Sequence, residues 1–113
     1  MGRLYILKAT LFIILFIVHH SITAAEKPPK ITGEVINQST EKHVPYLTVL
    51  IKGTTIGTST DNNGNFVISG ISPGDYVVRV QGVGYKPVEK QIHLDPGETE
   101  DLKFYIQKDV FEI

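Results

Sequence analysis

Beyond residue 30 the chain alternates apolar and polar positions with the period of two that marks half-buried strands. The alternation comes in short runs broken by turn-forming clusters. From Ile31 to Ile36, the residues Ile31, Gly33 and Val35 share one face. From Leu47 to Lys52, Leu47, Val49 and Ile51 alternate with Thr48, Leu50 and Lys52. The Thr-rich run Ile56 to Thr60 suits an edge or a brief third strand. Phe66 and Ile68 then point one way, Val67 and Ser69 the other. Tyr76, Val78 and Val80 alternate with Val77, Arg79 and Gln81, and because both faces are rather apolar this strand is expected to be central. Val88, Lys90, Ile92 and Leu94 share a register, and Leu102, Phe104 and Ile106 form the inward face of the last run, Glu100 to Gln107. After the N-terminal segment nothing carries the 3.6 period of a helix. Seven short strands with frequent turn signals predict an all-β fold, a seven-stranded Greek-key β-sandwich.

The breaks have their own chemistry. Asp61-Asn62-Asn63-Gly64 is expected to close a hairpin, since Asn63 and Gly64 tolerate positive φ and Asp61 can bond its own downstream backbone. Ser72-Pro73-Gly74-Asp75 and Asp95-Pro96-Gly97-Glu98 are further turns, and Asn37 to His43 is a polar loop. Gly82-Val83-Gly84-Tyr85 is too rich in glycine for a strand interior. Asp61, Gly64, Gly74 and Gly84 are therefore assigned to turns, and Phe66, Tyr76 and Tyr85 to the core.

The first residues follow a different rule. Arg3 and Lys8 give a basic start, Ala9 to Val18 is an apolar run with one threonine, and Thr23-Ala24-Ala25 offers small residues. This is the layout of a secretory signal peptide over residues 1–25, cut after Ala25 with Ala24 as the alternative. The apolar run is about half of what a spanning helix needs, so no membrane span is expected in the mature chain. Residues 26–30, Glu-Lys-Pro-Pro-Lys, form a stiff polar leader.

Of the 113 residues, removal of 25 leaves 88, enough for one small domain. Losing Arg3 and Lys8 leaves nine basic against twelve acidic side chains, a formal charge of −3. The charges are interspersed, which argues against a nucleic-acid partner. There is no cysteine, so export brings no disulfide and no lipidated N-terminus.

Candidate chemistry is sparse. Asp61 to Asn65 has the oxygen density of a calcium loop, but the position that should hold a bidentate Glu is Ser72, which leaves a turn. His43 and His93 are too few and too far apart in sequence for a zinc site. Ser59, Ser69 and Ser72 lack a neighbouring base and a nucleophile elbow. Tyr46, Tyr76, Tyr85 and Phe66 could form a ligand platform but are assigned to the core. No catalytic residue, metal or cofactor is expected.

Several motifs carry a resemblance. Gly33-Glu34-Val35, Val49-Leu50-Ile51-Lys52-Gly53-Thr54, Gly57-Thr58 with Thr60-Asp61, Gly64-Asn65-Phe66, Gly74-Asp75-Tyr76 and Val83-Gly84-Tyr85 occur in the order of the carboxypeptidase regulatory-like domain, whose fold is a transthyretin-like sandwich. The resemblance covers about residues 31–107. This version looks like the module that opens TonB-dependent outer-membrane receptors of the Bacteroidota kind. It implies a periplasmic or outer-membrane location, a non-catalytic role, and protein partners: the receptor plug and barrel or the periplasmic energy-coupling machinery. Asp109, Val110, Phe111, Glu112 and Ile113, within a tail over 108–113, stand where an energy-coupling box would begin; otherwise they are the frayed end of the last strand. A barrel of such a receptor cannot be built from 88 residues, so the chain would be a piece of one. The alternative is a stand-alone exported sandwich that binds glycan or protein. The hydroxyisourate-hydrolysing branch of the fold uses a His-rich motif and a C-terminal Tyr-Arg-Gly-Ser, and neither occurs here.

Overall fold

The computed structural model describes residues 26–110; the expected signal peptide and Phe111 to Ile113 lie outside them. The strands are β1 (Lys30–Asn37), β2 (Thr48–Ile51), β3 (Gly57–Ser59), β4 (Asn65–Ile68), β5 (Gly74–Gln81), β6 (Val88–Leu94) and β7 (Thr99–Ile106). They form two sheets, β4-β1-β7 and β3-β2-β5-β6, packed face to face. β5 lies between β2 and β6, the central place that its two apolar faces require. β1 and β7 run parallel in an eight-residue register from Lys30↔Thr99 to Asn37↔Ile106, while the other pairs are antiparallel.

The inward faces follow the alternation. Ile31, Val35, Val49, Ile51, Val78, Val80, Leu94, Phe104 and Ile106 are wholly buried, with Phe66 and Leu102 nearly so. Gly33 sits between Phe66 on β4 and Leu102 on β7. A Cβ at this position would lie 2.4 Å from Phe66 Cζ. The missing side chain lets the Phe66 ring lie across β1 toward Phe104, with ring centroids 6.2 Å apart.

Neither Asp61–Gly64 nor Asp95–Glu98 closes a hairpin. β3 pairs only with β2, and β4 only with β1, so the Asp61 turn carries the chain from one sheet to the other. Turn residues dictate a chain reversal; sheet membership is decided by which strand offers a complementary edge. Gly74 and Asp75 belong to β5, opposite Leu94 and His93, so the second turn is shorter than its composition suggests.

Backbone bonds tie down both the leader and the segment after β7. Pro29 is fully buried, and Lys27 and Lys30 exchange backbone bonds with the Asp95–Glu98 turn: the Gly97 amide donates to the Lys27 carbonyl at 2.7 Å and the Lys30 amide to that of Glu98 at 3.0 Å. The polar leader thus begins the domain. After β7, the Lys86 amide donates to the Gln107 carbonyl and the Asp109 amide to that of Gly84, both at 2.9 Å. The chain is held through Asp109 and is not frayed there.

The edges of the sheets are guarded. β3 and β4 are short. Between the longer edges β6 and β7, Lys90 turns inward, its ammonium 5.2 Å from the centre of the Phe104 ring and bonded to the Lys103 carbonyl. An inward charge on an edge strand blocks addition of a further strand.

Candidate binding surfaces

The structure separates residues that build the sandwich from those that it displays. Asp61 Oδ1 accepts the amides of Asn63 and Asn65, each at 2.9 Å, and the Gly64 amide donates to the Asp61 carbonyl at 3.0 Å. This carboxylate oxygen is committed to the turn. Gly64 has φ of 74° and is buried, as the turn demands. Gly84 has φ of 83° and presents its carbonyl to Asp109. Phe66 is in the core. Tyr76 and Tyr85 pack against it from the rim, and the Tyr76 hydroxyl donates to the Ser72 carbonyl at 2.7 Å. Of the docking tail, Asp109 is anchored and Val110 is exposed; Phe111, Glu112 and Ile113 are not among the described residues.

Tyr46 departs from its assignment to the core: it is 74% exposed. Its parity with Thr48, Leu50 and Lys52, opposite to Leu47 and Val49, was the signal in the sequence.

Both described histidines are committed to carboxylates. His43 Nε2 lies 2.7 Å from Glu34 Oε2, and Lys103 Nζ is 3.2 Å from Glu34 Oε1. The hydrogen bond from His43, then that from Lys103, holds the Glu34 carboxyl below its ordinary value, and Glu34 in turn raises Lys103. These groups lie on the outer face of the three-stranded sheet, where Thr32 also donates to Asp101 at 3.0 Å.

On the other sheet an open cleft is lined by residues including Lys52, Asp75, Val77, Gln91 and His93. Here His93 Nδ1 is 2.6 Å from Asp75 Oδ1, its cross-strand neighbour, and Nε2 is 3.1 Å from Asp95 Oδ1. With a carboxylate on each ring nitrogen, neither is free to take a proton from a substrate. The two carboxylates also flank opposite sides of the ring and cannot share a cation with it. Among the described residues no group of three or more His, Cys, Asp or Glu could hold a metal ion.

The Asp75 hydrogen bond, then that of Asp95, raises the His93 pKa above its ordinary 6.5. A raised histidine stabilises the fold fully below the unfolded value, and the contribution fades as pH rises through the folded value. A proton NMR titration is expected to place the His93 midpoint above 6.5, and Asp75→Asn to move it down. A midpoint at or below 6.5 in the wild-type protein would refute the clamp.

A family model described as the CarboxypepD_reg-like domain matches residues 31–113. The chain belongs to that family. The CarboxypepD_reg-like match takes in the seven strands, save Lys30 at the start of β1, and the anchored Asp109. No curated protein matches the chain significantly.

Solved structures share the sandwich at low identity. A type II cohesin–X-dockerin complex chain from Acetivibrio cellulolyticus superposes with a TM-score of 0.61 at 20% identity, over 71% of this chain and 58% of that one. The 5-hydroxyisourate hydrolase of Klebsiella pneumoniae gives 0.57 at 14%, over 73% and 92%. A candidate carbohydrate binding protein from Bacteroides uniformis gives 0.54 at 17%, over 71% and 41%. The chain therefore spans little more than half of the first of these structures. The likeness is one of fold: an all-β sandwich of two sheets. The family is a non-catalytic regulatory or binding sandwich. Among the described residues, no helix is long and apolar enough to cross a membrane.

Proposed function

We propose that this CarboxypepD_reg-like domain is the exported, periplasmic N-terminal extension of a TonB-dependent outer-membrane nutrient receptor. In this role it is a non-catalytic module that docks the receptor plug or the energy-coupling machinery. The observation that carries the reading is the exit of the C-terminal segment. Backbone bonds to Gly84 and Lys86 hold the chain through Asp109 and leave Val110 73% exposed at one end of the sandwich. A segment fixed at Asp109, with Val110 exposed next to it, suits a docking role, because less chain entropy is lost on binding. The ordered motifs and the basic, apolar, small-residue start support the same reading. Sandwiches of this shape occur in a cohesin–dockerin complex and in a candidate carbohydrate binding protein, which is consistent with a binding module.

Fractionation of the source cells, with N-terminal sequencing, tests the proposal. The expected product begins at Glu26, sediments with outer membranes, and belongs to a chain whose reading frame continues into a plug and barrel. A product that retains Met1 in the cytoplasm overturns the export reading. A free, soluble species with no plug-and-barrel frame downstream overturns the receptor reading and favours a stand-alone module. That second reading has a specific observation in its favour, the exposed ring of Tyr46.

A further inference from the structure

We propose that Tyr46, with the Asn62 that it contacts and the Asn63 that follows in the same turn, is a platform that binds a neutral carbohydrate by stacking against an apolar sugar face. The starting observation is conformational. Tyr46 has φ of 60°, in the left-handed region that a bulky side chain rarely adopts and that glycine adopts freely. Glu41 shares this φ, but it lies in the exposed polar loop closed by Asn37, where its amide donates to the Asn37 carbonyl at 2.8 Å.

Thr60 imposes the kink. It is 2% exposed, and its hydroxyl donates to the Val44 carbonyl and accepts the Leu47 amide, both at 2.9 Å. The backbone of Thr60 accepts the Tyr46 amide at 3.0 Å and donates to the Leu47 carbonyl at 2.9 Å. With Val44 and Leu47 both drawn into the core, residue 46 is thrown outward. Nothing in that path requires a tyrosine; it requires a residue that tolerates positive φ. The fold thus carries backbone strain to display a ring that adds nothing to the core, the pattern found at binding sites.

The ring is also oriented. Its hydroxyl donates to Asn62 Oδ1, within the turn that Asp61 braces. A tyrosine held this way offers a rigid amphipathic surface with little entropy left to lose. The neighbouring exposed side chains, Asn62 and Asn63, are neutral amides with both donors and acceptors. Amides beside an aromatic face match sugar hydroxyls around a C–H face, and they lack the cations that a phosphate or carboxylate ligand would need. This inference deepens the binding-module reading and is independent of the receptor context.

The test is native electrophoresis of the purified protein through gels containing soluble starch, β-glucan or galactomannan, with polygalacturonate as the anionic control. Thermal melts and sedimentation accompany it. At least one neutral polymer is expected to retard the wild-type chain. Tyr46→Gly should weaken that retardation at least about tenfold while the melting temperature stays the same or rises, and Asn63→Ala should weaken it less. The proposal is overturned if none of the neutral polymers retards the wild type, if only polygalacturonate does, or if retardation survives Tyr46→Gly. It also fails if Tyr46→Gly instead abolishes self-association, which would make the ring a protein contact. None of these outcomes touches the fractionation result, so the two readings fail separately.

Discussion

Phe66→Ala is expected to lower stability by about 3–5 kcal/mol, the range for removing a buried aromatic side chain. Phe66 is 3% exposed, and its ring spans the gap over Gly33 to reach Phe104 on the far side of β1. The cavity left behind lies between two edge strands of one sheet, where little else can collapse into it. For a domain of this size the total stability is roughly 5–15 kcal/mol, so the variant should melt far lower or not fold at all. Chemical denaturation measures the loss, and an unchanged midpoint would remove Phe66 from the core.

The geometry makes a sharper version possible. Gly33→Ala alone should cost about 1–3 kcal/mol, because its Cβ would meet Phe66 Cζ at 2.4 Å and the Leu102 carbonyl oxygen at 2.7 Å. In the Phe66→Ala background the first clash is gone and the second remains. The two substitutions should therefore combine less than additively, and strict additivity would refute the contact.

Gly64→Val carries the second large effect, about 2–5 kcal/mol in all. Roughly 1–2 kcal/mol comes from placing an L side chain in the left-handed region. The remainder, about 1–3 kcal/mol, comes from overpacking. A Cβ here would lie 2.8 Å from His43 Cβ and 3.0 Å from both the Val35 carbonyl oxygen and the Val44 nitrogen. These groups belong to β1 and the loop that folds back on it, and the Gly64 carbonyl itself accepts the Val35 amide at 2.9 Å. The turn cannot move away without breaking that bond. Gly70 separates the two causes: its φ is 76°, with nothing within 4 Å of a Cβ. Gly70→Ala should show the backbone cost alone, and Gly64→Ala should exceed it. Equal losses would leave the contacts around Gly64 without energetic weight.

Much of this molecule was legible in its residues. The alternation of Ile31, Gly33 and Val35, of Leu47, Val49 and Ile51, and of Leu102, Phe104 and Ile106 marked the buried faces, because side chains on a strand can only alternate. The motif order supplied the family. The sequence said less about partners of each strand. Asp61 to Gly64 has the composition of a hairpin turn, yet it links different sheets, since local turn chemistry is blind to the edge that a strand will find. Pro29 looked like part of a leader because its burial depends on a turn some seventy residues away.

The candidate sites divide along the same line. Composition alone gave a chain with few groups suited to catalysis or metal binding, and it placed the turn-makers Asp61 and Gly64. Only the folded structure brought Asp75 and Asp95 to opposite nitrogens of His93, because that pairing depends on the register of β5 with β6. Only the fold turned Tyr46 out. Its parity pointed to solvent, but the left-handed backbone that sustains it is imposed by Thr60, fourteen residues on and buried beneath it. What the sequence determined by itself was the fold class, the faces of the strands and the family, all set by local periodicity and short motifs. What tertiary structure decided was which polar and aromatic groups meet, because such contacts form between strands distant in sequence.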